Sequence, residues 1–291
     1  MTDILTKIET MMPEFSKGQK AIGRYMLEHY DKAAYLTASK LGAVVRVSES
    51  TVVRFAIELG FEGYPELQKS LQELIRTKLT SVQRMEITND RIGDGEVLSK
   101  ILAGDIDKIR TTLDRIDPAA FDAAVDAIIG AKHIYISGMR SASLLSGFLG
   151  YYFNLMFPDV RTVQATSSSE MFEQLFRIEE GDVFIGISFP RYSKKSVQTL
   201  HYAHNKGAGV IALTDSALSP IAPYAGCLLT AHSDMAAVVD SLVAPLSLIN
   251  ALIVAVSLQT MDRIRPKLEE LERLWRSYGV YQSVEEGTDA E

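Results

Sequence analysis

Apolar residues recur every three or four positions through the first part of the chain. In residues 16–35, for example, Ile22, Tyr25, Met26 and Tyr30 follow this spacing. That period places side chains on one face of an α-helix. The pattern predicts an all-α domain over residues 1–79.

The rhythm changes in the second half, where short apolar runs alternate with amphipathic stretches of helical length. The runs are residues 133–137, 160–164, 183–188, 210–214 and 227–230. Strand–helix alternation favours a parallel sheet flanked by helices. We therefore predict an α/β domain over residues 118–262, whose ligands bind at the carboxyl ends of the strands.

Three further segments complete the organisation. Residues 80–95 are polar and aperiodic, and residues 96–116 regain a helical period. We therefore predict a linker and connecting helix over 80–117, and a C-terminal helix and tail over 263–291.

Residues 241–261 carry no charge over a length that could span a bilayer. Because Pro245 and Asn250 interrupt this run, we expect a helix buried in the domain or at a subunit interface, with no membrane contact.

Composition narrows the class of protein. The 291 residues are 47% hydrophobic and 23% charged, as in an ordinary globular chain, with a net charge of −7. Residues 1–80 carry 11 Lys and Arg against 10 Asp and Glu, whereas the remainder carries 19 against 27, so the first part is relatively basic. One cysteine, Cys227, excludes an intrachain disulfide, and the N-terminus lacks a signal-peptide pattern, so we expect a cytoplasmic protein.

Residues 37–60 predict two short helices joined by a tight turn. Thr37 can cap the first helix and Ser48 the second, which Gly60 ends. An inward stripe on the second helix consists of Val52, Phe55, Ala56 and Leu59. The arrangement is typical of a helix-turn-helix, whose second helix enters the major groove of DNA; a plain helical hairpin is the alternative.

The candidate DNA contacts lie at the turn and on the outward side of the second helix. They are Arg46, Ser48, Ser50, Thr51 and Arg54. The position of Arg46 is usually Gly in this motif, because the backbone there tends to take positive φ, and a non-Gly residue costs about 1 kcal/mol. Either the turn is reshaped or Arg46 contacts a phosphate.

The segment VSESTVVRFAIELGFEGYPELQKSL, which begins at Val47, resembles the N-terminal domain of the RpiR family of bacterial transcription regulators. It keeps that family's order of Val-Ser, Thr-Val, Arg-Phe, Leu-Gly-Phe, Gly-Tyr and Leu. The resemblance implies a DNA-binding regulator of carbohydrate metabolism that binds operator DNA as a homodimer or homotetramer. Arg46 is the departure from the pattern.

The second half is similar to the SIS domain that this family carries, a phosphosugar-binding fold. The likeness rests on IYISGMRSAS, GDVFIGISFPRYS and AHNKGAGVIALTDSALSPIA. It implies a phosphorylated sugar or sugar acid as effector, with no cofactor and no metal.

In SIS domains the third strand usually ends Ser-x-Ser-Gly-x-Ser/Thr, and that loop holds a phosphate. Here the loop keeps Ser188 and Ser193, but Pro190 replaces the middle Ser and Arg191 replaces the Gly. A guanidinium can bind an oxyanion with two parallel hydrogen bonds. We predict that Ser188, Arg191 and Ser193 bind the effector; a solvated helix start is the alternative.

The loop after the first strand supplies the remaining effector candidates. Gly138 permits a tight turn, Arg140 can bind an anion, and either Ser141 or Ser143 faces the same site. Residues 166–170 either close the pocket or form a capping turn. Asp215 is interpreted as a structural cap.

A sugar-phosphate isomerase with an accessory helical domain is the rival class. Such an enzyme needs a general base, and the candidates are Glu170, His201, His204 and His232. No acid–base pair stands out among them, so we predict no catalytic residues and no enzymatic activity. A third class is an interaction protein that does not read DNA sequence.

Overall fold

The structure, a computed structural model, describes residues 4–78, 82, 85, 96–164, 167–233 and 239–282. The chain divides into two units, Met1–Gly104 with Asp234–Ser241, and Asp105–Ser233 with Leu242–Glu291. The predicted linker, residues 80–95, lies outside the described residues apart from Val82 and Met85.

The described part of the chain up to residue 78 is helical, as its apolar period predicts. Its helices are α1 (Ile4–Met11), α2 (Lys17–Glu28), α3 (Tyr30–Ala33), α4 (Ala38–Val45), α5 (Glu49–Glu58) and α6 (Tyr64–Lys78). Ile22, Met26, Leu41 and Phe55 are fully buried in their common core. Burying these apolar side chains, rather than helix propensity, holds such short helices together.

Tyr64 ties α6 to the chain before α4. Its side chain is 2% exposed, and its hydroxyl donates a 2.8 Å hydrogen bond to the carbonyl of Leu36. Burial, with a smaller contribution from Tyr25, raises the pKa of Tyr64 to about 12. The phenol is therefore held in its neutral form.

The rest of the described chain alternates helices and strands. These are α7 (Val97–Arg115), α8 (Pro118–Gly130), β1 (Ile134–Gly138), α9 (Ala142–Met156), β2 (Val160–Val163), α10 (Ser168–Leu175), β3 (Val183–Ile187), α11 (Lys194–Asn205), β4 (Gly209–Thr214), β5 (Cys227–Thr230), α12 (Val243–Gln259) and α13 (Met261–Ser277). Each strand lies within one residue of its predicted bounds.

The five strands form one parallel sheet in the order β2-β1-β3-β4-β5. Ile136 and Ile185 pack against α8, α9 and α12 on one face. Tyr135 and Phe184 pack against α10 and α11 on the other face. The predicted α/β class, with helices on both sides of a parallel sheet, is confirmed.

Helix α12 contains most of the long apolar run. Its residues Leu248, Ile249, Leu252 and Val256 are buried against the sheet, as expected of a core helix. Ala251, which a reading of this run as wholly buried would place in the core, is exposed. Among the described residues no single helix is long and apolar enough to cross a membrane; α12 and α13 meet that test only as a pair bent by 100°.

Candidate DNA-binding and effector sites

Two hydroxyl caps define the helix-turn-helix segment. Thr37 Oγ1 accepts from the amide of Lys40 at 3.3 Å, and Ser48 Oγ accepts from the amide of Thr51 at 3.3 Å. Both caps agree with the sequence prediction, because each hydroxyl satisfies an amide that has no partner within its helix. They fix where α4 and α5 begin.

The turn between α4 and α5 keeps the shape that its usual glycine would give. Arg46 adopts the left-handed conformation, with φ 58° and ψ 46°. The amide of Val47 donates to the carbonyl of Gly42 at 2.8 Å, and a Cβ on Gly42 would lie 2.7 Å from the carbonyl oxygen of Val47. The turn is therefore not reshaped, and Arg46 accepts a conformational cost of about 1 kcal/mol with its side chain exposed.

The five candidate DNA contacts differ in what their side chains already do. Ser48 Oγ lies 2.9 Å from Ser50 Oγ and 2.8 Å from Thr51 Oγ1, so these hydroxyls form one cluster at the start of α5. Thr51 is half-buried, whereas Ser50 and Arg54 are exposed. Arg54 Nε donates to the carbonyl of Ser50 at 3.3 Å, a bond that does not use the two terminal nitrogens with which a guanidinium binds a base edge or phosphate.

The effector candidates lie where the strand order of the sheet changes direction. β1 and β3 are neighbours, but the chain leaves β1 for α9 on one face and leaves β3 for α11 on the other. Such a switch point opens a crevice at the carboxyl ends of the two strands. The loops 138–141 and 188–193 border this crevice.

The loop after β1 is very tight. A Cβ on Gly138 would lie 2.3 Å from the carbonyl oxygen of Ala142, so only glycine fits. Arg140 is left-handed at φ 59° and exposed. Ser143 Oγ donates to the carbonyl of Arg140 at 2.6 Å, whereas Ser141 is exposed and makes no helix-capping hydrogen bond. This favours Ser141 over Ser143 as the hydroxyl offered to a ligand.

The loop after β3 repeats the left-handed arginine. Arg191 has φ 64° where SIS domains usually carry glycine, and its side chain is exposed. Ser193 caps α11 by accepting from the amide of Lys195 at 3.2 Å, which leaves its hydroxyl proton to donate. Ser188 is 3% exposed, and its amide donates to Leu213 in the sheet at 3.0 Å. Ser188 therefore lies at the bottom of the loop and Arg191 at its surface.

Tyr192 lies in this loop, as the sequence indicated, but its contact was not predicted. Its hydroxyl donates to Asp215 Oδ1 at 2.6 Å, and Thr214 Oγ1 donates to the same oxygen at 3.2 Å. Asp215 thus joins the loops after β3 and β4, which is a structural role. Two buried hydroxyls were also missed: Ser137 and Ser196 are each 3% exposed and have no hydrogen-bond partner among the described residues.

The candidate acid–base residues have structural contacts. Ser167 Oγ accepts from the amide of Glu170 at 3.1 Å, which is the capping turn, while Thr166 lies outside the described residues. The rings of His201 and His204 lie 5.1 and 6.2 Å from that of Tyr224. The amide of His232 donates to Thr112 Oγ1 at 2.8 Å. Within the described ranges no group of His, Cys, Asp and Glu side chains could hold a metal ion.

A polar network that the sequence did not predict lies at the opposite, amino-terminal edge of the sheet. Arg161 makes two hydrogen bonds to Asp159, at 2.9 and 2.8 Å, and one of 2.7 Å to the hydroxyl of Tyr135. These bonds lower the pKa of Asp159, while burial raises the pKa of Tyr135. His133 Nδ1 lies 2.7 Å from the buried carboxylate of Asp182. The network links β1, β2 and β3 away from the effector loops.

Comparison with known proteins assigns both halves of the chain. The helix-turn-helix domain of the rpiR family matches residues 2–78, and the SIS domain matches residues 127–255. The HTH-type transcriptional regulator HexR of Pseudomonas aeruginosa is 26% identical over 93% of this chain and 95% of its own length. HexR of Escherichia coli is 25% identical over 92% of this chain and 93% of its own.

Solved structures extend the likeness. The sugar isomerase domain of an RpiR transcription factor from Sphaerobacter thermophilus covers 60% of this chain and 97% of its own, at 28% identity and a TM-score of 0.57. The Vibrio vulnificus NanR protein, complexed with ManNAc-6P, covers 94% of this chain and 98% of its own at a TM-score of 0.58; its 19% identity shows the fold alone. With both domains matched in the same order, the chain belongs to the rpiR family of helix-turn-helix transcriptional regulators and carries a SIS domain.

Proposed function

We propose that this regulator binds double-stranded operator DNA through α5, with Ser50 and Arg54 reading base edges. Arg46, Ser48 and Thr51 position the helix against phosphates. The observation that carries the proposal is the exposed, polar start of α5, which is held rigidly by the Ser48 cap and by the buried side of the same helix. Side chains at this end of a recognition helix reach the major groove.

The SIS domain binds a phosphorylated sugar or sugar acid in the crevice between the loops after β1 and β3. Arg140 and Arg191 supply charge, and Ser141, Ser188 and Ser193 supply hydroxyl donors, with Gly138 allowing the close turn. Support comes from two arginines that hold a costly backbone conformation at one edge of the sheet, which suits an anionic ligand. NanR, a protein of the same fold, is complexed with a phosphorylated sugar.

Effector binding without conversion suits this site. Glu170 donates its amide to a helix cap, the rings of His201 and His204 lie near that of Tyr224, and His232 donates its amide to Thr112, which are structural contacts. We assign the domain a sensing role, in which the effector biases the arrangement of the DNA-binding domains. The protein acts as a homodimer or homotetramer, because a helix-turn-helix reads half-sites in pairs.

The test begins with an operator recovered by selection from genomic fragments. Fluorescence anisotropy then measures how a panel of sugar phosphates and sugar acids changes the affinity for that operator, and a thermal-shift screen measures direct binding. One compound should change both readings. Sequence-independent binding that disappears with salt would contradict the regulator, and turnover of a sugar phosphate would support the isomerase instead.

Within the site, Arg191→Ala should weaken effector affinity by about ten- to a hundredfold, since a charge-assisted hydrogen bond contributes roughly 1.5–3 kcal/mol. Lys206→Ala is the matched control, because Lys206 is an exposed cation at the amino-terminal edge of the same sheet. Titration calorimetry makes the comparison. Unaltered affinity in both Arg191→Ala and Ser193→Ala would mean that this loop does not bind the anion.

A further inference from the structure

Helix α7 presents large apolar side chains to solvent. Leu102, Ile106, Ile109 and Leu113 are 54%, 55%, 40% and 72% exposed. The helix has another side that is already packed, because Lys108 is only 8% exposed. An exposed row of four large apolar residues on one helix is larger than the scattered surface apolar residues of a monomer and marks an interaction surface.

The spacing of this row indicates what covers it. The four residues follow one another at intervals of four, three and four. This is the alternation of the a and d positions of a heptad, with Ile106 and Leu113 at a and Leu102 and Ile109 at d. Side chains at these positions pack into the matching row of another helix. The row is therefore suited to a helix with the same period.

Charges beside the row favour a second copy in parallel orientation. Asp105, whose side chain is 19% exposed, and the exposed Arg110 occupy the flanking g and e positions, five residues apart. In a parallel pair of identical helices, g of one copy faces e of the other at this spacing. Asp105 of each copy would then face Arg110 of the other copy, so the interface would contain two pairs of opposite charge. Within its own helix, Asp105 lies 3.4 Å from Lys108, and Arg110 lies 3.3 Å from Asp107.

An apolar groove runs beside the same row. Leu113 shares its lining with Ile116, Phe121, Leu248 and Ala251, and the cavity volume is about 310 Å³. The groove is open on the surface formed by α7, α8 and α12. It gives a partner's side chains a second apolar place to pack, so the surface extends beyond one helix and the exposed Ala251 falls inside it.

We infer that α7 pairs in parallel with α7 of a second copy of this chain, and that this pairing is the dimer contact of the regulator. The inference rests on the homodimer in the proposed function and specifies where it forms. A parallel two-fold pair keeps both amino ends of α7 at one end of the dimer. Both DNA-binding domains precede those ends in the chain, as two adjacent half-sites require.

The first experiment places a charge in the row. Ile106→Glu should weaken dimerisation by about a hundredfold or more in sedimentation equilibrium, because two carboxylates would be buried in an apolar seam. Ile57→Glu on α5 is the matched control, since Ile57 is 53% exposed and the chemical change is the same. Circular dichroism of both variants should match the unmutated chain. An Ile106→Glu dimer as tight as the control would overturn the interface.

The second experiment reads orientation. In a Cys227→Ser background, Leu113→Cys should form an intermolecular disulfide on mild oxidation, because Leu113 ends the row and would meet its copy in a parallel pair but lie far from it in an antiparallel pair that overlaps the whole row. Asp114→Cys, the exposed neighbour, should not. If a stable dimer with intact operator binding formed no cross-link at Leu113, the α7 pairing would be overturned, whereas the proposed regulator function would be unaffected. A monomer at every concentration would overturn both proposals.

Discussion

Arg46 and Arg191 occupy the same local position in two unrelated domains. Each is left-handed, each is exposed, and each precedes by two residues a serine that caps the next helix, Ser48 or Ser193. Around Arg46 the two hydrogen bonds that shape the turn, from the amide of Val47 to Gly42 and from the amide of Thr51 to Ser48, lie within one short segment. Around Arg191 the support is remote, because Tyr192 of its loop hydrogen-bonds to Asp215 after the next strand.

The same local arrangement, a left-handed arginine before a capping serine, therefore depends on its surroundings to different extents in the two domains. A helix-turn-helix carries its geometry within about 20 residues, so its function can be predicted from one segment. The proposed effector site, by contrast, depends on parallel strands, which bring separate loops to one edge of the sheet. Disturbing the sheet should therefore abolish the second site while leaving the first intact.

The largest expected effect tests that dependence. Gly138→Ala should destabilise the α/β domain by about 3 kcal/mol, because its Cβ would lie 2.3 Å from a backbone oxygen. Gly147→Ala is the control, since nothing lies within 4 Å of its Cβ and alanine favours a helix. Urea unfolding measures both, and operator binding should persist in Gly138→Ala at low urea. Equal stability of the two variants would contradict the close approach.

Buried Tyr64 gives a pH test of stability that concerns the helical domain alone. The pKa of Tyr64 is raised from 10.0 to about 12, so its stabilisation is complete below pH 10 and is lost as the pH rises from 10 through 12. The loss should approach about 2–3 kcal/mol in the helical domain. Tyr64→Phe should remove most of this pH dependence in urea unfolding. An unchanged dependence in that variant would assign it to other groups.

Arg54→Ala should weaken specific operator binding by about 1–3 kcal/mol, five- to a hundredfold or more, because a base-reading arginine is lost. The melting temperature of the variant should equal that of the unmutated chain, since Arg54 is exposed and its hydrogen bond to Ser50 lies within its own helix. Anisotropy with specific and scrambled duplexes separates the two kinds of binding. A collapsed melting curve would make Arg54 structural.

The smallest effects compare the two arginines directly. Arg46→Gly and Arg191→Gly should each stabilise their own domain by up to about 1 kcal/mol, because glycine removes the cost of positive φ. Arg46→Gly should weaken only DNA binding and Arg191→Gly only effector binding. If either substitution altered the other domain's ligand, the two sites would not be separable in this way.

Local patterns explain how much of this could be predicted. The caps at Thr37 and Ser48 and the strand at Val183 follow from rules that operate over a few residues, and all are present. The family resemblance then located both loops. Arg46 shows the limit of a pattern, because the sequence left open whether the turn was reshaped.

Contacts between distant residues could not be predicted. Nothing local distinguishes Tyr192 as the partner of Asp215, which lies 23 residues further along the chain. The apolar run of α12 has no polar side, so its period could not show that Ala251 is exposed while Leu252 is buried. Such facts depend on how the elements pack.

The strand order β2-β1-β3-β4-β5 also bears on synthesis. The face that carries Ile136 is completed only when α12, which follows every strand in the chain, packs there beside α8 and α9. The N-terminal helices contact one another over short sequence separations and fold quickly, whereas a parallel sheet of distant strands folds slowly. On the ribosome we therefore expect a protease-resistant DNA-binding domain well before residue 243 emerges. Each new molecule would then fold its DNA-binding domain before its SIS domain.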